Sequence, residues 1–491
     1  MSKIKFLIIS LLILLTTFTH LYGIGNTYIF QNDEGRDALI AYKMINSGKP
    51  VLLGPETSVG NMYLGPFYYY LIVPSLILSK LDPVGPAVFV AILGILTTYL
   101  IFLIGKKSYN FKVGIIAALF YALSPIMVHH SRSSWNPNVL PMFTALLLLL
   151  PNLKKPIWQL TFGLLTGIIF QLHYVALILP GLMFLAAVFE YLRKSDFKSC
   201  LCFSLNTLLG FVISSSPFWL FEIRHQFVNS YAFISYLQSK TIETSTIYPS
   251  FFNRFANNIS LLINGVLYSS SLTPAILTVT TLIGVVLFFA SCLYYPSIYS
   301  SLILFSILLI SVLKEGINVH YLAFLFPIVA IWFGSLFTLS KKISKPAIGL
   351  GLYLLVHFMP SHLYALSRTE NAQVRRAKES ADYIVKQAAG RSYNVVGSQG
   401  TFTTTISYFL ATSSNPPNND LQNLLFDICI NAPCKQDEET TVLLYLTGPS
   451  HPSLIDYLGH PAINEFKTPR KIIKNEWVTY DIYVATIELK P

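Results

Sequence analysis

Long apolar segments separated by short polar loops occupy the first three quarters of the chain. A stretch at 6–22 is followed by runs at 84–104, 113–128, 139–153, 157–172, 175–192, 200–222, 271–292, 298–313, 320–339 and 346–366. A helix needs about 20 predominantly apolar residues to cross the hydrocarbon core of a bilayer. The pattern therefore predicts an all-α polytopic membrane domain with about 11 transmembrane helices.

Two apolar stretches need a separate decision. Residues 6–22 follow Lys3 and Lys5, and no small-x-small cleavage site comes after them. We interpret this stretch as a retained first span with its N-terminus inside. The stretch 67–79 is shorter and contains Pro74. We interpret it as a segment at the outer membrane surface, because it is too short to span.

The positions of the basic residues support this topology. With 67–79 at the surface, four basic clusters all face the cytoplasm, where Lys and Arg are enriched in membrane proteins. These clusters are Lys106/Lys107/Lys112, Lys154/Lys155, Arg193/Lys194/Lys198 and Lys341/Lys342/Lys345. The outer face then carries a first outer loop at 23–83, loops at 129–138, 223–259 and 314–319, a hairpin at His173, and the C-terminal tail.

The tail differs from the rest of the chain, because the long apolar runs stop at 366. A run of helix formers at 370–389 predicts a helix. Three runs predict strands separated by Pro, Asn and Gly turns, and they are Tyr393–Val396, Thr441–Leu446 and Trp477–Ile487. We therefore expect a membrane domain at 1–366 and a soluble extracytoplasmic α/β domain at 367–491.

The cysteines of the tail leave one question open. Cys429 and Cys434 can form a disulfide if the tail is extracytoplasmic, but their spacing alone does not decide it. The chain has no cysteine and histidine spacing that is typical of a zinc site.

Composition narrows the classes of function. Only 12% of the residues are charged, whereas soluble globular chains carry about 25%. This excludes a disordered protein, a coiled coil and an ordinary cytosolic enzyme. Residues 1–366 hold 22 Lys and Arg against ten Asp and Glu, an excess that marks cytoplasmic loops rather than nucleic-acid binding. The absence of a P-loop, an HExxH motif and a dinucleotide fingerprint argues against an ATPase transporter, a zinc protease and a Rossmann-type nucleotide-sugar enzyme.

Acidic residues gather in the first outer loop. Asp33 and Glu34 come about ten residues after the first span and just before a helix-like stretch at Asp37–Ser47. Adjacent carboxylates at a membrane surface can supply a proton-abstracting base or a cation site. They can also simply match the positive end of a helix dipole and be solvated. The residues alone leave these alternatives open.

Cations fall on the same predicted face. Arg132 ends the third span and precedes Trp135-Asn136-Pro137-Asn138, while Lys314 and His320 flank the last short outer loop. The planar guanidinium of an arginine suits a phosphate group. The plainer interpretation is a solvated turn with a snorkelling arginine and a satisfied interfacial histidine.

These motifs resemble, in order and spacing, the polyprenyl-phosphate-dependent glycosyltransferases of the GT-C fold. That superfamily includes the protein O-mannosyltransferases and lipid A aminoarabinose transferase. The resemblance is carried by the segment DEGRDALIAYKMINSGKP, by Gly65-Pro66-Phe67-Tyr68-Tyr69-Tyr70-Leu71, by LIGKKSYNFKVGIIAALFYALSPIMVHHSR, and by His320-Tyr321 with Pro327. Two departures stand out. Leu64-Gly65 stands where the family's surface helix has a lysine. The second acidic residue that often follows the family's third span is missing here, and Asn136 or Asn138 lies nearest to its position.

The resemblance implies an inverting sugar transfer from a polyprenyl-phosphate donor to an acceptor hydroxyl on the extracytoplasmic face. It places the catalytic base on Asp33 with Glu34 as its neighbour. It also implies that Arg132, Lys314 and His320 bind the donor phosphate and that Asn136, Tyr69 and Tyr321 contact substrate. No cofactor is implied with certainty, and a divalent cation is left open.

Two other classes of function remain as alternatives. One is a polytopic lipid or glycan transporter or flippase. The predicted spans argue against it, because they are nearly free of the ionisable residues that mark most ion and proton pathways. The other is a non-catalytic relative of the glycosyltransferases. The expected partners are the lipid-linked donor, membrane lipid and a lipid, glycan or protein acceptor. The expected location is the plasma membrane, with a role in glycosylation of the cell envelope.

Overall fold

A computed structural model describes residues 3–57, 62–151, 153–238, 249–268, 270, 272–313, 316–367, 372–397, 403–418, 422–431, 434, 470–479 and 481–489. The chain divides into two compact units. The first unit comprises Met1–Gly23, Leu52–Tyr68 and Val88–Arg368, and the second comprises Ile24–Val51, Tyr69–Ala87 and Thr369–Pro491. The second unit thus combines two parts of the predicted first outer loop with the tail.

Helices make up most of the described chain. Before residue 150 they are α1 Lys3–Leu21, α2 Ile24–Thr27, α3 Asn32–Ser47, α4 Phe67–Leu78, α5 Val84–Ser108, α6 Phe111–Leu123, α7 Pro125–Ser131 and α8 Leu140–Leu149. They continue with α9 Pro156–Leu172, α10 Ile178–Arg193, α11 Phe197–Ser214, α12 Ser216–Arg224, α13 Val228–Gln238, α14 Phe251–Leu267, α15 Pro274–Tyr294, α16 Ile298–Ile310, α17 Phe326–Leu336, α18 Lys341–Ser367, α19 Gln373–Ala388 and α20 Thr403–Ala411. Short 3₁₀ helices at Asn136–Val139, Tyr174–Leu177 and Val319–Leu325 precede α8, α10 and α17.

The predicted helical membrane domain is confirmed. Within the described residues, seven helices are long and apolar enough to cross a membrane, or eight if the bent pair α6–α7 is one span. The predicted spans at 139–153, 157–172 and 298–313 correspond to shorter apolar helices, so the expected total of about 11 depends on those three. The segment predicted to lie at the surface forms α4, which has 12 residues.

A sharp bend separates α6 from α7. The two helices differ in direction by 69°, and the break falls at Ser124, whose backbone is extended, just before Pro125. Proline disfavours helical backbone in the preceding residue and lacks the N–H that would continue the helix. The Ser124 hydroxyl donates to the Val266 carbonyl at 2.9 Å. This polar link holds the break inside the apolar environment.

The two ends of α1 are fixed by different neighbours in the first unit. Near its N-terminus, the Lys5 ammonium lies 5.3 Å from the centre of the Phe111 ring at the start of α6. Near its C-terminus, the Arg132 guanidinium binds carbonyls of the last residues of α1. Lys5 and Phe111 therefore lie at one end of α1, and Arg132 lies at the other.

The predicted α/β tail is confirmed, with one correction. Four strands, β1 Tyr393–Gly397, β2 Leu424–Ile430, β3 Arg470–Trp477 and β4 Ile482–Leu489, form a sheet in the order β1-β2-β4-β3. β1 and β2 are parallel, while β4 is antiparallel to β2 and β3. The single strand predicted at Trp477–Ile487 was wrong, because Trp477 ends β3 and the chain turns before β4 begins.

Other predictions for the tail have separate outcomes. The helix predicted at 370–389 is α19, whereas the strand predicted at Thr441–Leu446 lies outside the described residues. Cys429 and Cys434 form a disulfide with their Cα atoms 5.4 Å apart. Cys429 lies on β2, so the bridge ties the end of this strand to the chain that follows.

Helix α20 of the tail packs directly on α3 within the second unit. The closest approach is at Gly35, where an added Cβ would lie 2.7 Å from the Thr405 nitrogen. The Thr404 hydroxyl donates to the Asn32 carbonyl at 2.8 Å. Nearby, the Phe30 nitrogen donates to Gln373 Oε1 at 2.7 Å. The start of α3 is therefore held by α19 and α20, far away in sequence.

We expect Gly35→Ala to destabilise the second unit by roughly 1–3 kcal/mol, because the new methyl group overlaps main-chain atoms of α20. The measurement is thermal unfolding of the purified full-length protein in detergent. Gly25→Ala is the matched control in the same unit, since nothing lies within 4 Å of its added Cβ. Equal melting temperatures for the two variants would contradict the close packing of α3 on α20.

Candidate active site

The two adjacent acids at the start of α3 occupy different environments. Glu34 is 7% exposed, and its Oε2 accepts a hydrogen bond from the Gln31 nitrogen at 3.2 Å. This is the return contact of a capping box, which satisfies a main-chain donor at the start of the helix. The Asp33 side chain is 40% exposed. Of the two acids predicted to be catalytic, Asp33 is therefore the more accessible.

Arg36 links Asp33 to a third acid, Asp37. Its Nη1 donates to Asp33 Oδ1 at 2.8 Å, one helical turn away. Its Nε and Nη2 both donate to Asp37 Oδ1, at 2.9 and 2.8 Å. Exposure falls from Asp33 through Arg36, at 15%, to Asp37, at 1%. The three side chains thus become progressively less exposed from Asp33 to Asp37, and the Arg36 guanidinium contacts both acids.

Burial changes the titration of the inner part of this cluster. Loss of hydration raises the pKa of Asp37 to about 6, although the adjacent Arg36 opposes the rise. The two aspartates raise the pKa of the Arg36 guanidinium well above its usual value despite its burial. Arg36 is thus always charged, whereas Asp37 changes charge close to neutral pH.

Tyr69 lies behind the same cluster. It belongs to α4, is fully buried, and its hydroxyl faces Asp37 and Arg36 within the second unit. Tyr69 was predicted to contact substrate. Tyr69 therefore packs against Arg36 and Asp37 in the interior and is not exposed at the surface.

Arg132 lies in the first unit and is engaged by the end of α1. Its Nη1 donates to the carbonyls of Thr19 and His20 at 3.0 and 2.9 Å, and its Nη2 donates to the Tyr22 carbonyl at 2.9 Å. The last carbonyls of a helix have no partner within the helix, and a cation stabilises them. Burial lowers the pKa of Arg132 to about 10, so the residue remains charged at neutral pH.

Three loops of the first unit meet at a cluster of rings, which we call the imidazole cluster. It consists of Trp135, His173, His320 and Tyr321. The ring of His320 lies 4.5 Å from that of Trp135 and 4.6 Å from that of Tyr321. The ring of His173 lies 4.8 Å from that of Tyr321 and 6.4 Å from that of His320. Histidine donors and aromatic faces from distant parts of the sequence are thus brought together.

One histidine of the imidazole cluster, His173, is neutral. Burial, with a smaller effect of the nearby His320, lowers the pKa of His173 to about 3. Its Nδ1 is buried and makes no hydrogen bond to the residues that the structure describes. A neutral imidazole has one donor and one acceptor nitrogen, so His173 offers the cluster a buried polar atom.

Polar side chains fix the loops around the imidazole cluster. Asn136 is buried, and its amide nitrogen donates to the Leu172 carbonyl at 2.8 Å. The Tyr68 hydroxyl and the Ser134 hydroxyl lie 2.8 Å apart and share a hydrogen bond. These contacts join the loop at 133–138 to the end of α9 and to the start of α4.

A second buried network joins the predicted first outer loop to the residues at the end of α12 and the start of α13. The Asn229 side chain accepts from the Tyr63 nitrogen at 2.6 Å and donates to the Tyr63 carbonyl at 3.0 Å. Glu222, which is fully buried, accepts from the Asn229 and Ser230 nitrogens at 3.1 and 2.7 Å. Glu222 therefore compensates its burial with main-chain donors.

The predicted site residues fall in both units of the chain. Asp33, Glu34 and Tyr69 belong to the second unit, while Arg132, Asn136, His320 and Tyr321 belong to the first. Lys314 lies outside the described residues. Arg36, Asp37 and His173 were not assigned roles from the sequence. The spacing of three residues between Asp33 and Arg36, which places them on one helical face, is the signal that could have identified Arg36.

One group of side chains has the spacing of metal ligands within the part of the chain that the structure describes. It consists of Asp427, Cys429 and Cys434. The two cysteines are joined in a disulfide, and thiolates, not disulfides, are the ligands of metal ions. This group is therefore a disulfide beside a half-buried carboxylate.

Comparison with known proteins supports the GT-C fold. Residues 64–221 match the family described as dolichyl-phosphate-mannose-protein mannosyltransferase. The crystal structure of ArnT from Cupriavidus metallidurans bound to undecaprenyl phosphate is similar over 98% of this chain and 97% of that chain, with a TM-score of 0.60 and 13% identity. The apo structure of the same enzyme gives a TM-score of 0.56 over the same shares, again with 13% identity. No curated protein matches the chain.

These similarities confirm the fold expected from the motifs. The structural match extends over nearly the whole chain, including the tail, whereas the family match is confined to the segment from the first outer loop to α12. The protein is thus a multi-pass membrane protein with the fold of ArnT.

We expect Arg132→Ala to lower the stability of the first unit by roughly 1–3 kcal/mol, because three main-chain carbonyls lose a charged donor. The apparent Tm of the detergent-purified protein measures this loss. Arg193→Ala is the control, since Arg193 is exposed and paired only with Glu190 within one helix among the described residues. An Arg132→Ala variant as stable as Arg193→Ala would contradict the assignment of Arg132 to the end of α1.

Proposed function

We propose that the protein is an inverting glycosyltransferase that moves a sugar from a polyprenyl-phosphate donor to an acceptor hydroxyl on the extracytoplasmic face of the membrane. The observation that carries the proposal is an accessible carboxylate, Asp33, at the start of α3 in a chain with this fold. The family match and a structural neighbour bound to undecaprenyl phosphate point to the same class of donor.

Asp33 acts as the general base in this proposal. The acceptor oxygen attacks the anomeric carbon of the donor, while the bond from that carbon to the phosphate oxygen breaks. The acceptor proton passes to the Asp33 carboxylate, and the polyprenyl phosphate leaves with the bonding electrons. General-base assistance of this kind contributes about 10²–10⁴-fold to a rate. Glu34, which is engaged as a helix cap, supports the position of Asp33 rather than taking the proton.

The leaving phosphate is stabilised by groups of the first unit. In this proposal His320 donates to the phosphate, and Tyr321 and Asn136 contact the sugar or its phosphate. Arg132 contributes mainly its positive charge, because N–H groups on both Nη atoms are bound to carbonyls. Lys314 remains a predicted phosphate ligand. Preorganised positive charge and donors of this kind lower the energy of a developing anion.

Sidedness can be argued along the chain. No apolar span lies between Leu21 and Asp33, and Arg132 binds the carbonyls at the end of α1. We therefore place Asp33 and Arg132 in the same compartment. The disulfide between Cys429 and Cys434 supports an extracytoplasmic tail, because disulfides persist in oxidising compartments. The plasma membrane and the cell envelope are the location and the process that we propose.

We expect Asp33→Asn to lower sugar transfer at least tenfold, because an amide cannot accept the acceptor proton. The assay incubates purified protein with a panel of polyprenyl-phosphate sugars and measures the polyprenyl phosphate released. Binding of the donor lipid should be retained, since the phosphate ligands are unchanged.

Asp82→Asn is the matched control for this experiment. Asp82 is an acid of the same unit whose Oδ1 accepts from the Val84 nitrogen, a contact that asparagine also makes. We expect its transfer rate to equal that of the native protein. An Asp33→Asn variant with the native rate would remove Asp33 from the mechanism. Movement of intact donor across vesicle membranes without its cleavage would favour a flippase instead.

Cysteine labelling tests the proposed orientation. We expect a cysteine replacing Ser414 to react with an impermeant maleimide on intact cells, and one replacing Lys106 to react only after permeabilisation. Both positions are exposed, and the background lacks Cys200, Cys202 and Cys292. Reaction of both cysteines on intact cells would contradict the topology.

A further inference from the structure

Asp37 is a buried acid for which the proposed chemistry has no use as a direct participant. Its side chain is 1% exposed, so neither a sugar nor a lipid phosphate reaches it without rearrangement. A buried carboxylate normally costs stability unless it is paired. Asp37 is paired with Arg36, which also contacts the exposed Asp33. The question is what this chain of contacts does for Asp33.

The division of donors on Arg36 is unequal. Two nitrogens, Nε and Nη2, bind one oxygen of Asp37, and one nitrogen, Nη1, binds one oxygen of Asp33. A free guanidinium beside a carboxylate tends to bind it in a fork, through two parallel hydrogen bonds to both oxygens. A carboxylate bound in this way has fewer lone pairs for a proton. The Asp37 contact excludes a fork on Asp33 through the Nε and Nη2 edge of Arg36, because Asp37 occupies that edge, and Asp33 receives one hydrogen bond, from Nη1.

We propose that Asp37 is a positioning residue, which holds Arg36 so that a single N–H group orients the Asp33 carboxylate and leaves its other oxygen for the acceptor. This inference rests on the proposed role of Asp33 as the base. In the arrangement without the Asp37 charge, Arg36 turns toward Asp33 and takes both of its oxygens. Asp33 is then still present and charged, but it is a poor base.

The surroundings of Asp37 make this arrangement sensitive to pH. The charged and titratable groups that face it are Arg36 and Asp33 on α3 and Tyr69 on α4. Helix α20, which packs on α3, carries one titratable side chain, Tyr408, whose hydroxyl donates to the Leu81 carbonyl at 2.6 Å. Burial raises the pKa of Asp37 to about 6. Asp37 therefore holds Arg36 above that pH and releases it below.

The test compares Asp37→Asn with Asp481→Asn in the full-length protein. Asp481 forms the other buried arginine pair described in the second unit, with Arg376 at 2.7 Å, and its side chain is 11% exposed. Both changes replace a buried carboxylate by an isosteric amide. They therefore share the structural cost of the lost ion pair, and only Asp37→Asn alters the surroundings of Asp33.

We expect Asp37→Asn to lower kcat about tenfold while KM for the lipid-linked donor stays within about twofold, because the donor's phosphate site is untouched. The native enzyme and Asp481→Asn should both lose kcat as the pH falls through about 6. This acid limb should be missing in Asp37→Asn. An acid limb near pH 6 that persists in Asp37→Asn, or equal kcat losses in the two variants, would overturn the proposal.

A second measurement does not depend on finding the donor. Carbodiimide-driven coupling of an amine to Asp33, quantified by mass spectrometry of the protein in nanodiscs, reports how freely this carboxylate reacts. We expect labelling of Asp33 at neutral pH to fall roughly tenfold in Asp37→Asn, because a forked guanidinium shields both oxygens, and to be unchanged in Asp481→Asn. Unchanged labelling in Asp37→Asn would refute the positioning role. Full transfer by Asp33→Asn would instead refute the proposed base, whatever the labelling shows.

Discussion

The ion pair between Arg36 and the buried Asp37 is the constraint on which the acidic end of α3 depends. A guanidinium is planar and carries its donors in a fixed fork, so binding of its Nε and Nη2 edge determines the direction of Nη1. That direction is toward Asp33. The exposed acid is thus oriented from the interior of the second unit, by a residue that solvent barely reaches.

Arg132 has a different partner from the one that the sequence suggests. The sequence offers an arginine at a membrane boundary, and a phosphate is the partner that this residue type suggests. In the structure its N–H groups donate to the last carbonyls of α1, which have no hydrogen-bond partner within the helix itself. Helix ends inside a membrane protein compete with ligands for cations. A cation at the end of a span is therefore weaker evidence for a phosphate site than a cation whose hydrogen bonds lie in a loop.

The sequence predicted those features that depend on local pattern and failed where distant segments meet. Apolar runs located the long helices, and the short run with Pro74 forms the 12-residue helix α4, whose place at the membrane surface stays a prediction. Strand patterns in the tail were harder to interpret, since Trp477 and Ile482 lie on neighbouring antiparallel strands and only four residues separate them. The disulfide could not be decided from spacing. Its cysteines meet because β2 ends between them.

For the candidate site, type of residue was predictable and environment was not. Asp33 and Glu34 are adjacent and chemically alike, yet Glu34 caps the helix and Asp33 stays accessible. His173 and His320 are far apart in sequence, yet their rings lie 6.4 Å apart in the imidazole cluster. Burial and the meeting of the two histidines arise from tertiary contacts and are therefore properties of the fold. The cap made by Glu34 and the pair between Asp33 and Arg36 are local contacts of α3.

The tail is best understood as part of the support of α3. Gly35 allows α20 to approach the helix within contact distance of its backbone, and Thr404 and Gln373 bind main-chain atoms at its start. These contacts lie within one turn of Asp33, on the side of α3 where a bulky residue would push the helix away. The residues that follow α18 thereby fix the position of α3, which carries Asp33.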